Sequence, residues 1–164
     1  MMNNLGIQII QKPYFVVGAI ALSLIGLAQA FAVNQTLTQF VSPLGWQIAS
    51  GVVLLTLTLF QWGLLYHRLK KNAAGVRRYY FLHKYLGFAI ILIFALHAAR
   101  TGYGWTSILF TVFVALAVTG LLNRGIMRYR AAWLHRVWLW LHIALSALLV
   151  PLVAIHIVVA LAYT

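Results

Sequence analysis

The sequence predicts an all-α integral membrane protein with five transmembrane helices, and three observations carry that reading. Hydrophobic residues make up 64% of the 164 positions, and the mean hydropathy is +0.95, beyond what a soluble domain carries. Five apolar stretches are each long enough to cross a bilayer as a helix. There is no aspartate or glutamate at all, against twelve lysines and arginines.

The spans are expected near residues 14–33, 47–66, 80–100, 106–123 and 134–162. They form a single domain over 1–164: an N-terminal helix with its outer loop at 1–46, and a four-helix core at 47–162. Pro13 suits the opening of the first helix, where its missing N–H leaves nothing unsatisfied. Lys12, an apolar run and Ala28-Gln29-Ala30 together have the pattern of a cleavable leader, yet the segment is read as a retained transmembrane helix. In the last span Pro151 is expected to kink the helix.

Basic residues set the expected orientation. Lys12, the group Arg68, Lys70, Lys71, Arg77, Arg78 and Lys84, and the group Arg124, Arg128, Arg130 and Arg136 fall on one side, and Arg100 stands alone on the other. Such a bias places the N-terminus in the cytoplasm and Thr164 outside. Trp46 and Trp105 fit the outer aromatic belt; Trp62, Trp133 and Trp138 fit the inner one. The excess positive charge lies in short loops between apolar spans, so anionic lipid head groups fit it better than nucleic acid. The absence of carboxylates argues against a proton pump or cation transporter. The absence of cysteine excludes disulfides, iron–sulfur clusters, thiolate ligation and haem attachment through C-x-x-C-H.

Two segments repeat one device. Residues 82–100, LHKYLGFAIILIFALHAAR, hold His83 and His97; residues 141–156, LHIALSALLVPLVAIH, hold His142 and His156. Fourteen helical steps fall about 40° short of four turns, so each pair shares a face with its members about 21 Å apart. The expected topology makes the third and fifth spans parallel. His83 then meets His142 at one level, and His97 meets His156 at the other. Histidine inside a membrane span marks a site more often than not, and four paired in this way suit two stacked haems. Zinc fits less well, because no third ligand is evident. Bacteriochlorophyll, which needs one histidine per pigment, remains open. Gly63-Leu64-Leu65 and Gly120-Leu121-Leu122, each followed by a basic loop and a helix opening Leu-His, suggest that spans two–three and four–five form a parallel repeat.

The H-x13-H pairs on two parallel helices resemble those of bacterial di-haem cytochromes b and of the transmembrane part of ferric-reductase-like proteins, over roughly residues 47–162. The resemblance implies a four-helix bundle in a bacterial plasma membrane. It also implies two b-type haems, with His83 and His142 ligating the cytoplasmic-side iron and His97 and His156 the outer-side iron. The chain departs from the ferric reductase pattern in having no flavin or nicotinamide domain and no Gly-rich nucleotide motif. The function expected is electron transfer across the bilayer, as a subunit serving quinol, an extrinsic cytochrome or a dehydrogenase partner. The alternative is a pigment-binding or structural subunit.

Arg100, three residues after His97, is the expected contact for the outer haem's propionate; Lys84, Arg78 and Arg136 compete on the inner side. Gly87, one turn after His83, suits either close approach of the macrocycle or tight helix packing. His67 and His135 sit at the cytoplasmic boundary as surface histidines or as proton-exchanging groups near a quinone. His135 shares a face with His142 and is the residue most easily mistaken for a ligand.

Overall fold

The computed structural model describes residues 13–30, 43–98, 104–122 and 132–162, and among them it is helical apart from short turns, with no strand. The helices are α1 (Pro13–Ala30), α2 (Leu44–Gln61), α3 (Gly63–Leu69), α4 (Ala73–His97), α5 (Trp105–Leu121) and α6 (Ala132–Ala162). Three stretches are long and apolar enough to cross a membrane: Leu44–Leu69, formed by α2 and α3 together, then Ala73–His97 and Ala132–Ala162. Two apolar helical stretches are shorter, Phe15–Leu27 and Trp105–Leu121. The all-α class and the membrane character expected from composition are therefore present. Large apolar side chains point outward along these helices, Leu59 at 63% and Leu161 at 72% exposure among them. Left in water, such a surface would be costly; lipid is the solvent that suits it.

Pro13 opens α1 as expected. The second span runs past 66 to Leu69, with a brief interruption at Trp62, whose N–H turns to the Leu59 carbonyl at 3.1 Å. The third helix starts at Ala73, seven residues before the expected 80. Arg77 and Arg78 therefore ride on α4 rather than in a loop. Asn72 explains the early start: its side chain accepts the Gly75 N–H at 3.0 Å, the usual way to satisfy an open helix N-terminus. The fifth helix continues through Pro151 from Ala132 to Ala162.

What remains of the basic loop is a three-residue turn. Asn72 N–H reaches the His67 carbonyl at 3.0 Å and Lys71 N–H the Arg68 carbonyl at 3.1 Å, the bonding pattern of a Schellman cap. The residue at the left-handed position of that cap is Lys71, φ 52°, where glycine is the usual occupant. Lys71→Gly should therefore raise stability by about 0.5–1 kcal/mol, read as an upward shift of the thermal midpoint in detergent.

The chain divides into two compact units, Met1–Arg100 and Thr101–Thr164. In the first, α4 is the central helix. It packs against α1, α2 and α3 and contributes Ile90, Ile91 and Phe94 to the core. Helices α2 and α4 are antiparallel, since Trp46 reaches Leu96 at one end and Gly63 lies against Tyr79 at the other. In the second unit α5 and α6 form an antiparallel hairpin, with Trp105 beside His156 and Thr119 beside His142. Val112, Phe113 and Leu149 are its buried apolar side chains among the described residues.

Candidate functional site

Each unit places two of the expected histidines on its long helix. His83 and His97 lie on α4, His142 and His156 on α6, and all four are partly buried. Fourteen residues of continuous helix separate each pair by about 21 Å along the axis.

His97 ends α4, and its Nδ1 lies 2.9 Å from the Ser50 hydroxyl on α2. Gly51 follows Ser50, and a Cβ placed there would sit 3.4 Å from His97 Cε1. Trp46, one turn earlier, donates its indole N–H to the Leu96 carbonyl at 3.4 Å. The second unit holds the same components. His142 Nδ1 lies 2.9 Å from the Thr119 hydroxyl on α5, and a Cβ on Gly120 would sit 3.5 Å from His142 Cε1. The Trp138 indole stacks on the His142 ring at 5.8 Å between centroids and 11° between planes, and donates its N–H to the Thr119 carbonyl at 2.8 Å. Ser50 and Thr119 are the two polar residues in the buried class among the described residues. Each spends its place in the interior on a histidine.

These hydroxyls decide the form of the imidazoles. A hydroxyl has one hydrogen to give. Ser50 gives its hydrogen to the Trp46 carbonyl at 2.7 Å, and Thr119 gives its hydrogen to the Leu116 carbonyl at 2.8 Å. Each oxygen is then left as an acceptor, an arrangement that matches donation from Nδ1 of His97 and His142. In a neutral imidazole that places the lone pair on Nε2, which is the tautomer required of a metal ligand whose other nitrogen is held by the protein.

His83 lies under a different neighbour. The Gln61 side chain donates to the His83 carbonyl at 3.2 Å, and its amide nitrogen lies 3.5 Å from where a Cβ on Gly87 would stand. The room beside Gly87 thus borders the Gln61 amide. His156 faces the Trp105 ring at 5.4 Å. Of the candidate propionate contacts, Lys84 lies over the Tyr80 ring at 4.1 Å, Arg78 and Arg136 are exposed, and Arg100 lies outside the described residues. Among the basic residues used for orientation, Lys12, Arg124, Arg128 and Arg130 also lie outside them.

His67 is built into the turn below α4. The Asn72 amide oxygen is committed to Gly75 N–H, so its nitrogen faces His67 Nδ1 at 3.4 Å. His67 Nδ1 is therefore the acceptor, and the proton sits on Nε2, opposite to His97 and His142. The ring also packs on Tyr79 at 4.4 Å and fills the space a Cβ on Gly75 would need. On α6, His135 stacks on the Trp138 ring at 5.4 Å between centroids and 18° between planes. The order His135, Trp138, His142 follows successive turns of α6.

The Ser50-Gly51 and Thr119-Gly120 pairs were not among the residues singled out from the sequence. The available signal was a hydroxyl–glycine dipeptide inside an apolar helix, present once in each hairpin. The glycine repeat noted in the sequence aligned Gly120 with Gly63, but Gly63 lies against the Tyr79 ring. By contact, the counterpart of Gly120 is Gly51.

Among the described residues no three His, Cys, Asp or Glu side chains gather as a metal-holding group, and a bis-histidine haem would not call for one. The comparisons add no neighbour: no family model, curated protein or solved structure matches the chain.

Proposed function

We propose that the chain is a di-haem b-type membrane cytochrome that moves electrons across a bilayer between redox partners, as a subunit of a larger oxidoreductase. His83, His97, His142 and His156 would hold the two haem irons, His83 together with His142 and His97 together with His156. The observation that carries the reading is the pair of buried hydroxyls, each of which holds the Nδ1 side of one of these histidines at 2.9 Å. Neutral imidazoles with a held Nδ1–H are the donor set that low-spin haem iron takes, and Gly51 and Gly120 keep the Cε1 edges of the rings uncrowded.

Haem held by two histidines would supply a one-electron iron couple suited to transfer rather than oxygen activation. The chain's own part is to hold the imidazoles at two levels, to exclude water with apolar helices, and to offer basic residues to propionates. Arg100 and Lys84 belong to that proposal, as do the four-helix bundle over 47–162, the cytoplasmic N-terminus and the bacterial plasma membrane. Quinol, an extrinsic cytochrome or a dehydrogenase subunit would donate or accept the electrons.

The test is a haem assay with redox titration of the purified protein. Two haems per chain and two b-type transitions on dithionite reduction are expected. A colourless protein, or absorption far to the red from a bacteriochlorophyll, would overturn the reading.

A further inference from the structure

We infer that Ser50 and Thr119 are positioning residues that fix the ligating tautomer of His97 and His142, and that each sets the potential of one haem independently of the other. The inference rests on the proposed ligation, and it adds residues and a means of control that the histidine spacing does not contain.

Three observations combine. The first is exclusivity: Ser50 and Thr119 fall in the buried class, at 5% and 9% exposure, and both face a histidine Nδ1 at 2.9 Å. The second is direction. Each hydroxyl hydrogen goes to a carbonyl in its own helix, Trp46 for Ser50 and Leu116 for Thr119, so the oxygen can serve the imidazole only as an acceptor. The third is that the arrangement is built twice, with a glycine at the next position each time and the Cε1 edge of the ring in van der Waals range. A hydroxyl that merely satisfied itself inside an apolar helix would need the carbonyl bond alone. The added bond to a histidine of the neighbouring helix is what calls for an explanation.

An acceptor on Nδ1–H makes the imidazole more basic at Nε2, which favours the ferric over the ferrous state. Removing it should therefore raise the potential. Since the proposed pairing gives His97 to one haem and His142 to the other, Ser50 acts on one haem and Thr119 on the other. Ser50 and Thr119 can then be varied separately, so that two chemically identical cofactors hold different potentials.

The experiment uses the full chain in detergent with Ser50→Ala and Thr119→Val, the second preserving side-chain volume, and with Ser50→Thr and Thr119→Ser as conservative partners. In haem-loaded protein, each removal should raise the midpoint of one transition and leave the other in place. A tenfold change in the ferric–ferrous equilibrium corresponds to about 59 mV for one electron. The conservative variants should restore the wild-type value. In haem-free protein, nitrogen-15 spectra of labelled histidine at alkaline pH should show His97 and His142 as Nδ1–H tautomers, and each removal should return one of them to the mixture found in free histidine.

Unmoved midpoints in both removals, or tautomer signals indifferent to the hydroxyls, would overturn the inference while leaving haem binding intact. A wild-type protein that takes up no haem would instead defeat the proposed function, and the tautomer measurement would still decide the role of the hydroxyls. Should a removal variant not fold, the tautomer assignment in the wild type decides alone: Nε2–H at His97 and His142 refutes the inference.

Discussion

Alanine at His97 is expected to lower the haem content from two per chain to one and to abolish a single redox transition. The remaining transition should keep its midpoint, because on the proposed ligation the other haem draws no ligand from residue 97. His156→Ala should delete the same transition, and His83→Ala and His142→Ala the second one. His67→Ala should delete neither, since its Nδ1 is occupied as an acceptor by Asn72 and its ring is packed on Tyr79. The measurement is haem stoichiometry beside a potentiometric titration of each purified variant. Loss of both transitions from every single substitution would mean that the histidines do not act in the assigned couples. Loss of neither would mean that they do not hold iron.

Leucine at Gly120 should produce nearly as large a loss by steric means. A methyl at this position meets His142 Cε1 at 3.5 Å, an ordinary contact, so Gly120→Ala should keep both haems. Branches beyond the Cβ would enter the space of the ring, and overpacking of this kind costs about 1–3 kcal/mol. The ring can relieve the crowding by rotating about its side-chain bonds, which breaks the 2.9 Å contact with Thr119 and turns Nε2 away. Gly120→Leu should therefore lose one haem while circular dichroism keeps the helical signal. The same contrast is expected for Gly51→Ala and Gly51→Leu at His97. Equal haem content in the leucine and alanine variants would show that the glycines serve helix packing alone.

Hydropathy locates the middles of the helices well, because an apolar run must be long to cross lipid and nothing else in the chain imitates it. It is silent on polar ends. Helix α4 begins on Ala73 because Asn72 caps it, and Arg77 and Arg78 look like a loop when judged by charge. The four histidines are visible because a fixed spacing on a helix is a property of the sequence itself. Their braces are not, because Ser50 and His97 are 47 residues apart and Thr119 and His142 are 23 apart, so the pairing belongs to the folded hairpin. The repeat is a further example. The sequence aligns the histidines of α4 and α6 in order, yet the hydroxyl serves the later one on α4 and the earlier one on α6. Equivalence by contact and equivalence by order are different relations here.

The commitment of both hydroxyl hydrogens to carbonyls has a consequence for energy conservation. Neither Ser50 nor Thr119 has a proton left to hand to its imidazole, and the chain contains no aspartate or glutamate to supply one. On the proposed function, an electron arriving at an iron held by His97 or His142 would receive no proton from these hydroxyls. Its passage between the two levels would charge the bilayer like a capacitor, assisted or resisted by about 2.3 kcal/mol for each full crossing at 100 mV. The transmembrane voltage would then act directly on this transfer.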